Sequence, residues 1–215
     1  MIVEACVETL GQALAAQAGG ANRVELCANL AADGTTPPDD LLAACVAHVT
    51  LPVFPIIRPR AGSFVYTGVE VEAMLRQARQ ARTLRAHGVV VGALDAKGEV
   101  DASVVAALAR EAHPLAVTFH RAFDRVPDQC AALEVLVSLG VSRVLTSGGA
   151  PTAVKGLDAI ARHVRDAGDR IVIMAGGGVR SHNVRHIVER TGVREVHGRF
   201  GSAAEVGAVV TAAAG

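Results

Sequence analysis

The 215-residue sequence has no tryptophan, one tyrosine and five phenylalanines. Its core must therefore be aliphatic, and a 51% hydrophobic composition supplies enough Val, Leu, Ile and Ala for a large one. Net charge is also missing, with 21 Lys plus Arg against 21 Asp plus Glu. Phosphate-backbone binding needs a basic excess, so nucleic acid is not an expected partner. No apolar run approaches the ~18 residues of a membrane span, so no membrane partner is expected either. Met1-Ile2-Val3-Glu4-Ala5 carries neither a basic n-region nor an apolar h-region, so no export signal is read there. Cys6, Cys27, Cys45 and Cys130 form no CxxC pair. They read as reduced thiols of a cytoplasmic protein. Lysine is scarce as well, limited to Lys97 and Lys155, and the arginine excess favours fixed ion pairs over a solvated lysine coat.

What is present is an alternation. Eight β-rich runs recur, near residues 2–7, 23–27, 53–58, 89–94, 116–120, 143–146, 171–175 and 195–197. Between them the apolar period switches to that of a helix, as in Val154, Leu157, Ile160, Ala161 and Val164. Glycines at Gly19-Gly20, Gly88, Gly140, Gly168 and Gly192 suit helix C-termini. Pro37-Pro38 suits the start of the second helix, and Ser202-Ala203-Ala204-Glu205 is a capping box opening the last. Strands alternating with helices pair in parallel through right-handed crossovers. The expected fold is α/β, a single compact (β/α)8 TIM-type barrel over residues 1–215. An open doubly wound sheet is the alternative, but Cys6-Val7-Glu8-Thr9 stands where its Gly-rich turn would follow the first strand.

Polar residues fall two apart at the strand ends: Glu4 and Cys6, Glu25 and Cys27, Arg58 and Arg60, Thr118 and His120, with Arg121 and Asp124 just beyond. Residues two apart share a strand face. These point into the barrel near the C-terminal ends of the strands, where such folds carry their sites. Buried charges must neutralise one another, and Glu4, Glu25, Asp95 and Asp124 roughly balance Arg58, Arg60, Arg121 and His120. Glu4, Glu25, Arg58, Arg60, His120 and Asp124 are thus candidate catalytic residues. Glu25 or His120 would serve as general base, Glu4 or Asp124 would orient it, and the arginines would hold a small anionic or phosphorylated substrate. The plain alternative is an ion-pair plug filling the barrel. Histidines 48, 87, 113, 163, 182 and 186 read as surface residues, whereas His197 ends the eighth strand and faces the mouth.

Glu-x-Cys occurs twice, on strands expected to be neighbours. Cys6 and Cys27 could hold a soft ion such as Cu(I) between two thiolates, or be two buried small hydrophobes. Cys45 and Cys130 read as helix packing residues. Glycine-rich turns follow the last three strands, placing Ser147, Gly148, Gly177, Gly178 and Gly198 where backbone amides bind phosphate in barrels of this type. No organic cofactor is expected. Whether the chain is an enzyme is left open.

Several segments together carry a resemblance. They are residues 1–6, Arg23-Val24-Glu25-Leu26-Cys27, Ile57-Arg58-Pro59-Arg60, residues 114–124 ending in Thr118-Phe119-His120-Arg121-Ala122-Phe123-Asp124, residues 143–148 and Ile173-Met174-Ala175-Gly176-Gly177-Gly178. The sequence resembles the CutC proteins along nearly its whole length. The resemblance implies a TIM-type barrel, cytoplasmic and homo-oligomeric, associated with copper homeostasis, with Cys6 and Cys27 matching the family's Cu(I)-binding cysteines. Three segments depart from the family pattern. Ala61-Gly62-Ser63 stands where Gly-Gly-Asp is usual, and Asp33-Gly34-Thr35-Thr36-Pro37-Pro38 replaces a Gly-Gly-x-Thr-Pro-Ser loop. An arginine, Arg199, is inserted after His197-Gly198.

Overall fold

The computed structural model describes residues 1–214. Eight strands alternate with eight helices along the chain. The strands are β1 (Ile2–Val7), β2 (Arg23–Leu26), β3 (Val53–Pro55), β4 (Gly88–Val91), β5 (Ala116–Phe119), β6 (Arg143–Thr146), β7 (Val172–Ala175) and β8 (Glu195–Arg199). The helices are α1 (Leu10–Ala18), α2 (Asp39–His48), α3 (Gly68–Thr83), α4 (Ala102–Ala112), α5 (Gln129–Ser138), α6 (Leu157–Ala167), α7 (Val184–Thr191) and α8 (Ala203–Ala214).

All strand pairs are parallel, in the order β3-β2-β1-β8-β7-β6-β5-β4. The two edges meet at a single bridge, Ile56 with Val90, where the Ile57 amide donates to the Val90 carbonyl at 2.7 Å. This joins the sheet into a barrel, as the alternation of elements predicts. Alternate residues divide between two cores. Val3, Ala5, Val24, Leu26, Val89, Val91, Phe119 and Val144 face the helices and belong to the main aliphatic cluster. Cys6, Cys27, Phe54, Ile56 and Val90 form a second cluster.

Local signals account for most helix ends. Thr67 and Glu70 form a complete capping box on α3. Ser202 accepts from the Glu205 amide at 3.2 Å, but the Glu205 carboxylate reaches back to the Gly201 amide, so the predicted box is displaced by one residue. Gly88 ends no helix. It opens β4, and a Cβ there would lie 2.3 Å from the Phe54 ring. Arg85 takes the left-handed conformation after α3 instead. The third strand is shorter than expected: Ile56 and Ile57 still donate to Leu26 and Val90, but the Arg58 amide turns to Thr36 Oγ1 at 2.8 Å.

Candidate metal and binding site

The polar interior has a floor and a mouth. At the floor, Arg23 is held by Glu4 and, at 2.6 Å, by Glu195. Arg143 binds the same Glu195 and donates to Thr118 Oγ1 at 3.1 Å. The Phe54 ring lies 5.2 Å from the Arg23 guanidinium and 5.7 Å from that of Arg143. Two cations and two anions close a buried network, which is the ion-pair plug foreseen as the alternative. Arg23, Arg143 and Glu195 went unread as site residues because they start their strands. The signal was the same period of two: Arg23 continues Glu25 and Cys27, and Glu195 continues His197.

Above the floor stands His197. Its Nδ1 is 2.8 Å from Glu4 and its Nε2 3.6 Å from Glu25. Burial opposes its charge, but the bonds to Cys6 and Glu4 and the two carboxylate charges outweigh burial and hold its pKa well above 6.5. Burial likewise opposes ionisation of Glu4, yet His197 and Arg23 bring its pKa down to about 2. For Glu25 burial wins, and its pKa is raised.

Cys6 and Cys27 lie in this layer with Sγ atoms 3.6 Å apart. Parallel pairing sets Cys6 beside Glu25, and Cys27 follows two residues on, so the three side chains share a face. Their ligand atoms lie within 4.8 Å of one another. Both thiols are held protonated. The bond to Cys27, burial and the Glu25 charge raise the pKa of Cys6 well above 9.0. For Cys27 the bond to Cys6 favours the thiolate, but burial and Glu25 push its pKa up to about 11. The loop of residues 28–35 covers the pair, and a Cβ on Gly34 would lie 3.2 Å from Cys27 Sγ.

With this geometry in view, the comparisons are decisive. The CutC family model matches residues 1–202. The chain belongs to the CutC family. A CutC family protein of Caulobacter vibrioides is 49% identical over 94% of this chain and 82% of its own. A human copper homeostasis protein cutC homolog is 44% identical over 91% of this chain and 72% of its own. The crystal structure of a copper homeostasis protein CutC from Streptococcus agalactiae superposes with a TM-score of 0.89 at 33% identity, covering 94% of this chain and all of that one. Phosphoribosylanthranilate isomerase of Thermotoga maritima, with a TM-score of 0.65 at 12% identity, shares the fold alone.

In this CutC chain the candidate residues divide. Glu4, Glu25, Cys6 and Cys27 come together as expected. Arg58 and His120 are buried at the mouth, 4% and 5% exposed. Arg60 does not join them. It turns outward to Glu70 and to the carbonyls of Ala61, Ser63 and Val65, because Pro59 and the loop end the strand alternation before it. Asp124 is a staple and has no free carboxylate to act as an orienting base. It accepts from Thr146 Oγ1, Ser147 N and Oγ, Gly149 N and Arg121 Nε. An internal carboxylate therefore fills the turn where a phosphate was expected at Ser147 and Gly148, and the Gly148 amide donates to Thr146 Oγ1. Gly198 makes room for the Phe200 ring, 2.4 Å from where its Cβ would stand. The Gly177 and Gly178 amides donate no hydrogen bond among the described residues, so that turn keeps its donors.

Asp95 bonds its own loop through Lys97 N and Glu99 N and does not enter the interior network. His163 is buried against Phe123 and is not a surface residue, and Cys130 is exposed, not packed. A groove of about 500 Å³ between Asp124, Gln129, Cys130, Arg162 and His163 contains none of the residues around the paired thiols. No helix among the described residues is long and apolar enough to cross a membrane.

Proposed function

We propose that this chain is a copper-homeostasis protein that binds Cu(I) through Cys6 and Cys27. One observation carries this reading: two buried thiols from adjacent strands approach to 3.6 Å with Glu25 beside them. Soft thiolate pairs select Cu(I) over harder ions, and hard cations would want more oxygen ligands than one carboxylate offers. The donor set therefore fits. A linear two-thiolate site needs the sulfurs about 4.6 Å apart, twice a ~2.3 Å metal–sulfur bond. The pair must open slightly, or Glu25 must complete a bent site.

The surrounding residues supply the charge balance. Both thiols release protons when they ligate. The His197 imidazolium, fixed by Glu4, faces Glu25 and Cys6 and offsets the negative charge that two thiolates would add. The names of the human and Streptococcus relatives point the same way. The test is a Cu(I) competition titration against a chromophoric Cu(I) chelator. Cys6→Ser, Cys27→Ser and the double variant should each lose Cu(I) affinity by at least a hundredfold. Affinity unchanged in the folded double variant ends this reading.

A further inference from the structure

We propose that the barrel mouth holds a second site, separate from the cysteines, in which Arg58, His120 and Tyr66 bind one small oxyanion. The starting observation is a buried cation with no counter-charge. Arg58 is 4% exposed, and no carboxylate among the described residues forms a salt bridge with it. Its Nη1 donates to the carbonyls of Ala32, Asp33 and Gly34, and its Nη2 to that of Gly62. These are neutral acceptors. They satisfy donors and leave the charge uncompensated, which is costly at such burial.

Three polar atoms without a partner then lie around the same place: Arg58 Nε, Tyr66 OH and His120 Nε2. Phe64 ties the group together, with the Arg58 guanidinium 5.0 Å and the His120 ring 4.9 Å from its centroid. The phenol of Tyr66 lies beside Arg58, and the Arg60 guanidinium covers the Tyr66 ring at 5.2 Å from its centroid. All three atoms offer hydrogen. His120 Nδ1 accepts from the Ala122 amide at 3.1 Å, so the ring proton sits on Nε2. The ring is neutral, since burial and the Arg58 charge push its pKa down to about 3. Its seat is built on purpose: a Cβ on Gly92 would lie 2.2 Å from His120 Cε1. Buried donors with no acceptor are rare in folded proteins, and one beside an unpaired guanidinium calls for an anion with several lone pairs.

Carboxylates and phosphates share that chemistry. The site takes no donor from Arg60, whose nitrogens are held by Glu70 and loop carbonyls, nor from the strand-end glycines or the cysteines. The test follows the Arg58 Nε–H resonance by 15N NMR during titration with malonate and, separately, with inorganic phosphate. Saturable movement with one of them is expected, and the one that moves it assigns carboxylate or phosphate. Tyr66→Phe removes only a hydroxyl and should weaken binding about threefold to tenfold. Arg58→Lys keeps the charge, loses Nε–H and should abolish binding. The Cys6→Ser, Cys27→Ser protein should bind the anion normally, so this proposal and the copper reading fail separately. No saturable response to either anion overturns the proposal. So does binding that is unaltered in Tyr66→Phe, which tests it even if Arg58→Lys does not fold.

Discussion

The floor and the mouth of the barrel treat buried charge in opposite ways. At the floor, every charge of Glu4, Arg23, Glu195 and Arg143 meets an opposite charge. At the mouth, Arg58 meets only carbonyls, His120 and Tyr66 keep hydrogens with no acceptor, and two protonated thiols face each other. Arg58, His120 and the two thiols are buried much as the floor residues are. A satisfied network has nothing left to offer a ligand, whereas unsatisfied groups cost stability that a ligand can return. The contrast separates the residues that hold the barrel together from those that can bind.

The largest expected effect comes from breaking the floor. Arg23→Ala removes the cation shared by Glu4 and Glu195, leaving His197 alone on Glu4 and Arg143 alone on Glu195, and should cost about 3–5 kcal/mol in a denaturant titration. Arg23→Met, which fills the space without charge, leaves the same carboxylates short of a cation and should not rescue it. A loss under 1 kcal/mol would mean that the floor is no more settled than the mouth.

A smaller effect sharpens the contrast through pH. His120 has a folded pKa of about 3 against an ordinary 6.5, so the unfolded chain takes up a proton that the folded chain refuses. The His120 contribution to stability is whole above pH 6.5 and falls as pH drops toward 3, by up to about 1.4 kcal/mol per unit. Glu4, with its pKa lowered to about 2, adds a further loss as pH falls from 4.5 to 2. His120→Gln should make the curve shallower between pH 6.5 and 4.5 and leave the lower part in place. An identical curve in the variant would show that His120 titrates normally. The smallest effect belongs to Arg60, which stacks on the Tyr66 ring but spends its donors on Glu70 and loop carbonyls. Arg60→Gln should leave anion and Cu(I) binding unchanged and shift the melting temperature little, because its partner Glu70 is solvent-accessible. Loss of anion binding in that variant would extend the mouth to include it.

Much of this was legible in the chain. The barrel follows from period and punctuation, and Glu4, Cys6, Glu25 and Cys27 follow from a two-residue period on neighbouring strands. The same rule failed at Arg60, where Pro59 ends the strand, and it was stopped too early at Arg23 and Glu195, which belong to the floor. Asp124 lies in a segment whose residue types suggest catalysis. Only the folded turn shows that amides and hydroxyls at the end of β6 and just after it consume its oxygens. Tyr66 was invisible because it comes from a loop, and no periodicity places a loop residue over the end of a strand.

The barrel is closed by one bridge, Ile56 with Val90. For packing it is a full cylinder, but in backbone hydrogen bonding its two margins are joined sparsely, by the His87 amide to the Val53 carbonyl at 3.0 Å and the Ile57 amide to the Val90 carbonyl at 2.7 Å. Arg58 lies past the end of β3 and beyond these bonds, and Gly92, against which His120 rests, lies past the end of β4. The mouth donors therefore straddle the seam, where neighbouring strands constrain one another least. Their spacing can adjust to a guest without disturbing the ladder that carries Glu4, Arg23 and Glu195.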